Sequence, residues 1–132
     1  MRISAIAILG VMAGLAAASG AAAAPSVERG NYLVNTIMGC GNCHTPVGPN
    51  GPEFDKALSG MMVENSEAFT AVASNITPGG RVADWSDEEL ARAIREGIRP
   101  DGSLIGPPMP FEVYKGISDT DLASVVMYLR TV

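Results

Sequence analysis

The chain has 132 residues and is acidic, with 14 Asp and Glu side chains against 9 Lys and Arg and a formal net charge of −5. Such a chain is a poor nucleic-acid binder, because few cations are available to displace counterions from phosphate. With one Trp, three Tyr and three Phe, a single small domain is expected to need something beyond its own side chains to complete a core.

The first residues predict export. The chain is uncharged from position 3 to Val27, with the larger apolar residues first and an alanine-rich stretch ending at Ala24. This order is typical of a secretory signal peptide, so we predict a signal peptide over residues 1–24, one domain over residues 25–132 and a periplasmic location. The alternative is an uncleaved membrane anchor, since the uncharged run is long enough to span a bilayer.

The next segment is predicted to be the first of four helices. Ser26 is a suitable N-cap for a helix over Val27 to Ile37. Gly30 lies inside this helix, where glycine costs about 1 kcal/mol relative to alanine. Such a glycine indicates a place where another helix crosses closely.

Two long stretches are predicted to be mostly loop, Thr45 to Pro78 and Gly97 to Pro110, because proline and glycine recur in both. In the first, only Glu64 to Ala73 is predicted to hold a helical turn or a short strand. Loops of this length are unusual in a small domain. They are acceptable if they wrap a large rigid object.

The other helices have clear ends. Ser86 and Glu89 form a capping box at the start of a helix that ends at Gly97, a typical C-cap. The segment from Phe111 to Lys115 is predicted to form about one helical turn. The last helix starts at Ser118 and has one apolar face that predicts burial. This face consists of Leu122, Val125, Val126 and Leu129.

The sequence Cys-Gly-Asn-Cys-His at positions 40–44 has four interpretations. A structural zinc site needs four ligands, and the chain has two cysteines and one histidine. A thioredoxin-like redox pair needs a strand that leads into a helix, and a disulfide would leave His44 without a role. Covalent haem attachment uses all three residues, because within one helical turn Cys40 and Cys43 point the same way and His44 lies beside them. We therefore favour a haem c bound through Cys40 and Cys43, with His44 as an iron ligand.

A second iron ligand must come from another residue type, because His44 is the only histidine. Met109 is favoured, since the flanking prolines form a stiff loop and keep its side chain out of a helical core. Ligation by Met61 or Met62, or an open sixth position, remains the alternative. Five methionines follow the predicted signal peptide: Met38, Met61, Met62, Met109 and Met127.

These ligands indicate a function. A thioether opposite a histidine fills the sixth position and leaves none for oxygen or peroxide, so the iron is suited to electron transfer. The chain is accordingly predicted to be an electron carrier and not an enzyme. Two rivals stay open, a haem-based sensor with an open sixth position and a non-catalytic haem subunit of a dehydrogenase complex.

Further motifs follow the haem-binding sequence. They are SNITP at 74–78, DWSDE at 84–88, REG at 95–97, RPDG at 99–102 and PMP at 108–110. With these motifs the chain resembles the class I c-type cytochromes, and more closely the cytochrome c subunits of bacterial membrane-associated alcohol, aldehyde and sugar-acid dehydrogenases. The resemblance implies an all-α class I cytochrome c fold, with three to five helices around one covalently bound haem.

The resemblance also implies particular contacts. The N- and C-terminal helices should cross, with Gly30 and Tyr128 as the candidate crossing point, and His44 and Met109 should be the axial ligands. Asn75, Trp85 or a nearby arginine should bind the haem propionates. A backbone carbonyl of residues 46–52 should orient the second ring nitrogen of His44.

Redox proteins are the implied partners, with a dehydrogenase as electron donor and an oxidase or another cytochrome as acceptor. Nucleic acid is not expected as a partner. The dehydrogenase subunits often carry three haem motifs, whereas this chain has one. A free monomeric carrier and a complex subunit at the membrane periphery are therefore both compatible with the sequence.

Overall fold

The computed structural model describes residues 23–132. The predicted signal peptide lies outside the described residues except for Ala23 and Ala24. Within residues 23–132, none of the helices combines the length and the apolar content that a membrane span requires.

The described chain is mainly helical, as predicted, and also contains two small antiparallel hairpins. The helices are α1 (Val27–Tyr32), which continues as a π-helix (Leu33–Ile37), α2 (Gly41–His44), α3 (Asp87–Glu96), α4 (Phe111–Tyr114) and α5 (Asp119–Leu129), with a 3₁₀ turn at Phe54–Lys56. The strands are β1 (Val47–Gly48), β2 (Gly51–Pro52), β3 (Met61–Asn65) and β4 (Thr70–Ala73). Strand β1 pairs with β2, and β3 pairs with β4.

The predicted helix ends are confirmed. At the start of α3 the Ser86 hydroxyl accepts a hydrogen bond from the Glu89 amide at 3.2 Å, and the Glu89 carboxylate accepts one from the Ser86 amide at 2.8 Å. Gly97 ends α3 with a φ of +72°, in the left-handed region that glycine adopts readily. Ser26 and Ser118 cap α1 and α5 through their hydroxyls.

The stretch predicted to be mostly loop, Thr45 to Pro78, contains both hairpins. A strand within Glu64 to Ala73 was one of the two predicted forms, but the hairpin starts earlier, at Met61. A β-bulge between Met62 and Glu64 interrupts the pairing of β3 with β4. The bulge removes the simple alternation of apolar and polar residues by which a strand is recognised in a sequence.

Helices α1 and α5 cross at Gly30, as predicted. A Cβ atom at position 30 would lie 2.7 Å from the Cβ of Tyr128 and nearer still to the carbonyl oxygen of Ser124. Only glycine allows the two backbones to approach this closely. The Ser26 amide also donates a hydrogen bond to the Ser124 hydroxyl at 3.1 Å, which fixes the start of α1 on α5.

The core lies between this helix pair and α3. The predicted apolar face of α5 is buried in full, together with Leu90 and Ile94 of α3. Leu33 and Val34 of the π-helix, Leu58 from the first long stretch and Val82 from the turn before α3 also belong to this cluster. Residues outside the helices therefore form part of the core.

An ion pair at the crossing gives the fold a pH dependence. Arg29 donates to both carboxylate oxygens of Asp121, at 2.8 and 3.0 Å, and this guanidinium lowers the pKa of Asp121. A carboxylate with a lowered folded pKa stabilises the fold above its unfolded pKa, and this contribution is lost as the pH falls through the folded pKa. Asp121→Asn is therefore expected to lower the free energy of unfolding at neutral pH, with a difference that vanishes in acid.

Denaturant titrations at neutral and acid pH measure this difference. Glu67→Gln is a matched control, because Glu67 lies in the β3–β4 turn without an ion pair to any described residue. A deficit of Asp121→Asn that stayed constant with pH would contradict the assignment.

Candidate cofactor site

A cavity of about 510 Å³ lies among α2, α3, α5, the β3–β4 hairpin and the loop before α4. Its volume falls in the range of about 300 to 1,000 Å³ that is typical of cofactor and ligand sites. Apolar side chains form much of its wall. They include Val63, Ile76, Leu90, Ile94, Val125 and Leu129.

The Cys-Gly-Asn-Cys-His sequence forms a short helix on the cavity wall. Gly39, with a φ of +61°, turns the chain out of the π-helix, and the Cys40 amide donates to the Val34 carbonyl at 3.1 Å. One turn later the His44 amide donates to the Cys40 carbonyl at 3.0 Å. Cys40, Cys43 and His44 therefore all line the cavity, as their spacing within one helical turn predicts.

The two cysteines are not joined by a disulfide. Burial raises the pKa of the Cys40 thiol to about 11, so this group stays protonated at neutral pH. A redox-active cysteine pair needs a cysteine whose pKa is lowered, because the thiolate is the reactive form. The helix that carries the cysteines also follows a π-helix and not the strand that a thioredoxin-like motif requires.

His44 is oriented by a backbone carbonyl. Its Nδ1 lies 2.6 Å from the Ser74 carbonyl oxygen, which can only accept, so Nδ1 carries the proton and donates. Burial lowers the pKa of His44 although this hydrogen bond acts in the opposite direction. The imidazole is therefore held neutral, with Nε2 unprotonated and able to bind a metal.

The prediction that a carbonyl of residues 46–52 orients His44 is wrong. That segment forms the β1–β2 hairpin, and the Pro46 carbonyl accepts a hydrogen bond from the Glu53 amide at 2.9 Å. Ser74 directly follows β4, and β4 is positioned by its pairing with β3. A contact between residues 30 positions apart depends on this hairpin, which the sequence pattern did not reveal.

Met109 lies on the cavity wall, in the loop that precedes α4. Met61 and Met62 lie on β3 outside the cavity lining, and Met62 is 52% exposed. Met127, on α5, is also outside the lining. Met38 lines the cavity but is only two residues from Cys40. The structure thus brings Met109 together with Cys40, Cys43 and His44 and does not bring Met61 or Met62 there.

The cationic side chains divide into two groups. Of the eight Lys and Arg residues within positions 23–132, six form ion pairs with Asp or Glu. The other two, Arg81 and Arg99, both line the cavity. Arg99 is held by hydrogen bonds to the Ser103 hydroxyl at 3.2 Å and the Leu104 carbonyl at 2.7 Å. Both border a largely apolar cavity, and neither forms an ion pair with a described carboxylate, although hydrogen bonds from Ser103, together with the charges of both arginines, lower the pKa of Asp101.

The candidates for propionate binding are placed differently from one another. Trp85 lines the cavity, as does Arg99. Asn75 does not, because its side-chain oxygen accepts hydrogen bonds from the amide and hydroxyl of Thr77, each at 2.8 Å, and stabilises a local turn. Arg81 was not singled out in the sequence, and the lack of a salt-bridge partner is visible only in three dimensions.

These residues fit a haem. Two thiols three positions apart could form thioethers with two vinyl groups, an imidazole and a thioether are both donors that haem iron accepts, and two arginines could pair with propionate carboxylates. In addition, the apolar wall matches the porphyrin faces. Among residues 23–132 no group of three or more His, Cys, Asp or Glu side chains is arranged to bind a metal ion directly.

Comparison with known proteins gives the family, although no protein-family model matches the chain. The chain is 33% identical over 109 residues to the fructose dehydrogenase cytochrome subunit of Gluconobacter japonicus. The aligned region covers 81% of this chain and 21% of that protein. It is 35% identical over 112 residues to a diheme cytochrome c-type protein of Cereibacter sphaeroides, covering 83% and 36% respectively. The chain is a c-type cytochrome domain.

This cytochrome domain is also similar to the gluconate 2-dehydrogenase cytochrome c subunit of Pantoea cypripedii, with 29% identity over 123 residues, 92% of this chain and 26% of that protein. The domain spans between about a fifth and about a third of the length of these relatives. The relatives confirm the predicted family, the mainly helical class I cytochrome c fold and haem c as the cofactor.

Proposed function

We propose that this domain carries one electron on a haem c attached through Cys40 and Cys43, with His44 and Met109 as the axial ligands. The single observation that supports it best is that one cavity collects the Cys-Gly-Asn-Cys-His helix, Met109 and two arginines that form no ion pair with a described carboxylate. Haem bound there would supply a one-electron couple between ferric and ferrous iron.

Each group of residues has a distinct task in this function. His44 is held in one tautomer by the Ser74 carbonyl, so its basicity towards a metal is fixed by the fold. Met109 would occupy the position that a gaseous ligand or a substrate would otherwise take. The apolar wall excludes water, which helps to set the potential. Arg81 and Arg99 offer positive charge to the propionates.

The partners are proposed from the relatives. The names of three of them describe cytochrome subunits of dehydrogenases that act on fructose, alcohol and gluconate. We propose that this domain accepts its electron from a dehydrogenase and passes it to an oxidase or another cytochrome, without catalysing a reaction itself. We also propose that residues 1–24 direct it to the periplasm, where it acts as a free carrier or as a subunit at the membrane periphery.

Two measurements test the function. The pyridine haemochrome spectrum and the intact mass of the exported protein report the haem, its covalent attachment and the processing of the N-terminus together. Carbon monoxide added to the reduced protein then separates a carrier from a sensor. A carrier with both axial positions filled is expected to bind it weakly, whereas rapid and tight binding would favour the haem-based sensor.

Met109→Ala tests the sixth ligand. We expect the near-infrared charge-transfer band between methionine sulfur and ferric iron to disappear, because alanine offers no sulfur. The reduction potential should fall, since methionine ligation raises it, and carbon monoxide should bind to the reduced variant. Absorption spectra and potentiometric titration measure these changes.

Met62→Ala is the matched control, because it removes an exposed thioether from β3. It is expected to keep the band and the potential of the unmodified protein. A band that survived in Met109→Ala would place the ligand elsewhere.

A further inference from the structure

The segment that carries Met109 packs on the core through Tyr114 and Ile117 but has few hydrogen bonds to the rest of the protein. Within residues 106–117 the backbone hydrogen bonds are local, such as those from the Val113 amide to the Pro110 carbonyl and from the Ile117 amide to the Tyr114 carbonyl. The ion pair of Lys115 with Glu112 is local as well. Among the described residues, one hydrogen bond connects this segment to a distant part of the chain. The Tyr114 hydroxyl donates it to the Met38 carbonyl at 3.1 Å.

The two ends of this hydrogen bond lie next to the two ligand sequences. Met38 is separated from Cys40 only by Gly39, whose positive φ turns the chain into α2. Tyr114 is the last residue of α4, which begins directly after Pro110 and therefore follows Met109 closely. The hydrogen bond thus joins the segment that carries His44 to the segment that carries Met109.

Tyr114 also forms part of the cavity wall. A second, outer groove of about 470 Å³ is lined by Tyr32, Ile37 and Val113, among others. Tyr114 and Met38 belong to the linings of both the cavity and this groove. These two residues therefore lie between the cofactor cavity and the outer groove, and the hydrogen bond joins them there.

We propose that Tyr114 is a positioning residue for the sixth iron ligand, acting through its hydrogen bond to the Met38 carbonyl to keep Met109 at the cavity. This inference rests on the proposed axial ligation by His44 and Met109. Without the hydroxyl, segment 106–117 keeps its local turns and the packing of Phe111 over Gly97, but it loses its one long-range hydrogen bond. The segment then moves away from α2 more easily, and Met109 moves with it.

Competition with imidazole measures this effect. Imidazole added to the ferric holoprotein competes with Met109 for the sixth position, and loss of the near-infrared band reports the exchange. A net hydrogen bond of ordinary strength corresponds to a change of about two- to tenfold in an equilibrium constant. We therefore expect Tyr114→Phe to bind imidazole with an apparent Kd about two- to tenfold lower than that of the unmodified protein.

Tyr128→Phe is the matched control. The Tyr128 hydroxyl also takes part in one hydrogen bond, which it accepts from the Asn35 side-chain Nδ2 at 2.9 Å, but Tyr128 lies on α5 and does not line the cavity. It should leave the imidazole affinity unchanged. Denaturant unfolding of both variants, measured without imidazole, gives their global stabilities for comparison.

An unchanged imidazole affinity in Tyr114→Phe would overturn the proposal. Equal changes in the two tyrosine variants would overturn it as well, because they would indicate a general loss of stability. The Met109→Ala variant shows whether the positioning role of Tyr114 or the proposed ligation by Met109 is at fault. If Met109→Ala loses the band while Tyr114→Phe behaves as the unmodified protein, the positioning role alone is wrong; if Met109→Ala keeps the band, the ligand assignment itself is wrong.

Discussion

Replacing Cys40 and Cys43 together by alanine is expected to abolish covalent attachment of haem. Both side chains line the cavity on one helical turn, and no other cysteine is present in the chain to form a thioether. Haem staining after denaturing electrophoresis and the intact mass measure the attachment. The expected result is a chain without haem stain and with the mass of the polypeptide alone.

The single variants Cys40→Ala and Cys43→Ala are the controls. Each keeps one thiol beside the cavity, so each should retain stained haem through one thioether, with a haemochrome spectrum shifted by the remaining vinyl group. A double variant that kept its haem through denaturation would show attachment by another route and would contradict the site.

Loss of the haem should also destabilise the fold. A cavity of about 510 Å³ lined by core residues would be left without its largest apolar component. Cavities of this kind destabilise because their lining loses contacts that water does not replace. The double variant is therefore expected to show weaker tertiary structure in near-ultraviolet circular dichroism than either single variant.

Gly30→Ala is expected to destabilise the protein by about 3 kcal/mol, towards the upper end of what overpacking costs. The added Cβ would meet the Ser124 carbonyl and the Tyr128 Cβ, and backbone atoms cannot move aside as a flexible side chain can. Separation of α1 from α5 would also weaken the hydrogen bond from the Ser26 amide to the Ser124 hydroxyl. This change in the free energy of unfolding is opposite in sign to the change that helix propensity alone would give, because propensity favours alanine over glycine by about 1 kcal/mol.

Gly116→Ala is the control for this prediction. Gly116 lies between α4 and α5, has open space around its Cβ position and does not adopt a left-handed conformation. It should leave stability nearly unchanged. Denaturant unfolding of the holoprotein at neutral pH measures both variants, and a Gly30→Ala protein as stable as Gly116→Ala would contradict the close crossing.

The sequence predicts those features that depend on neighbouring residues. The capping box of Ser86 and Glu89 satisfies amides within one turn, and the Gly97 cap needs only its own backbone freedom, so both were recognisable without knowledge of the fold. The spacing of Cys40, Cys43 and His44 is local for the same reason. Their convergence on one cavity wall follows from the geometry of a single helical turn.

Features that depend on the meeting of distant segments were not predictable in this way. The orientation of His44 by Ser74 is a backbone contact, and every residue has a carbonyl, so no residue type marks the partner. The hydrogen bond from Tyr114 to Met38 has the same character. Arg81 became notable only when the ion pairs of the other cations were known. The π-helix before Cys40 likewise leaves no pattern that distinguishes it from an α-helix.

The contact between Ser74 and His44 links the electron-donating strength of a proposed iron ligand to the β3–β4 hairpin, which supplies none of the proposed ligands. Ser74 directly follows β4, so its carbonyl is positioned by the pairing, the bulge and the turn of the β3–β4 hairpin. Substitutions in residues 64–69, which lie outside the cavity lining, would therefore adjust the midpoint potential in small steps while every proposed ligand stays the same. During evolution, such a remote adjustment would let one haem scaffold match electron donors of different reducing power.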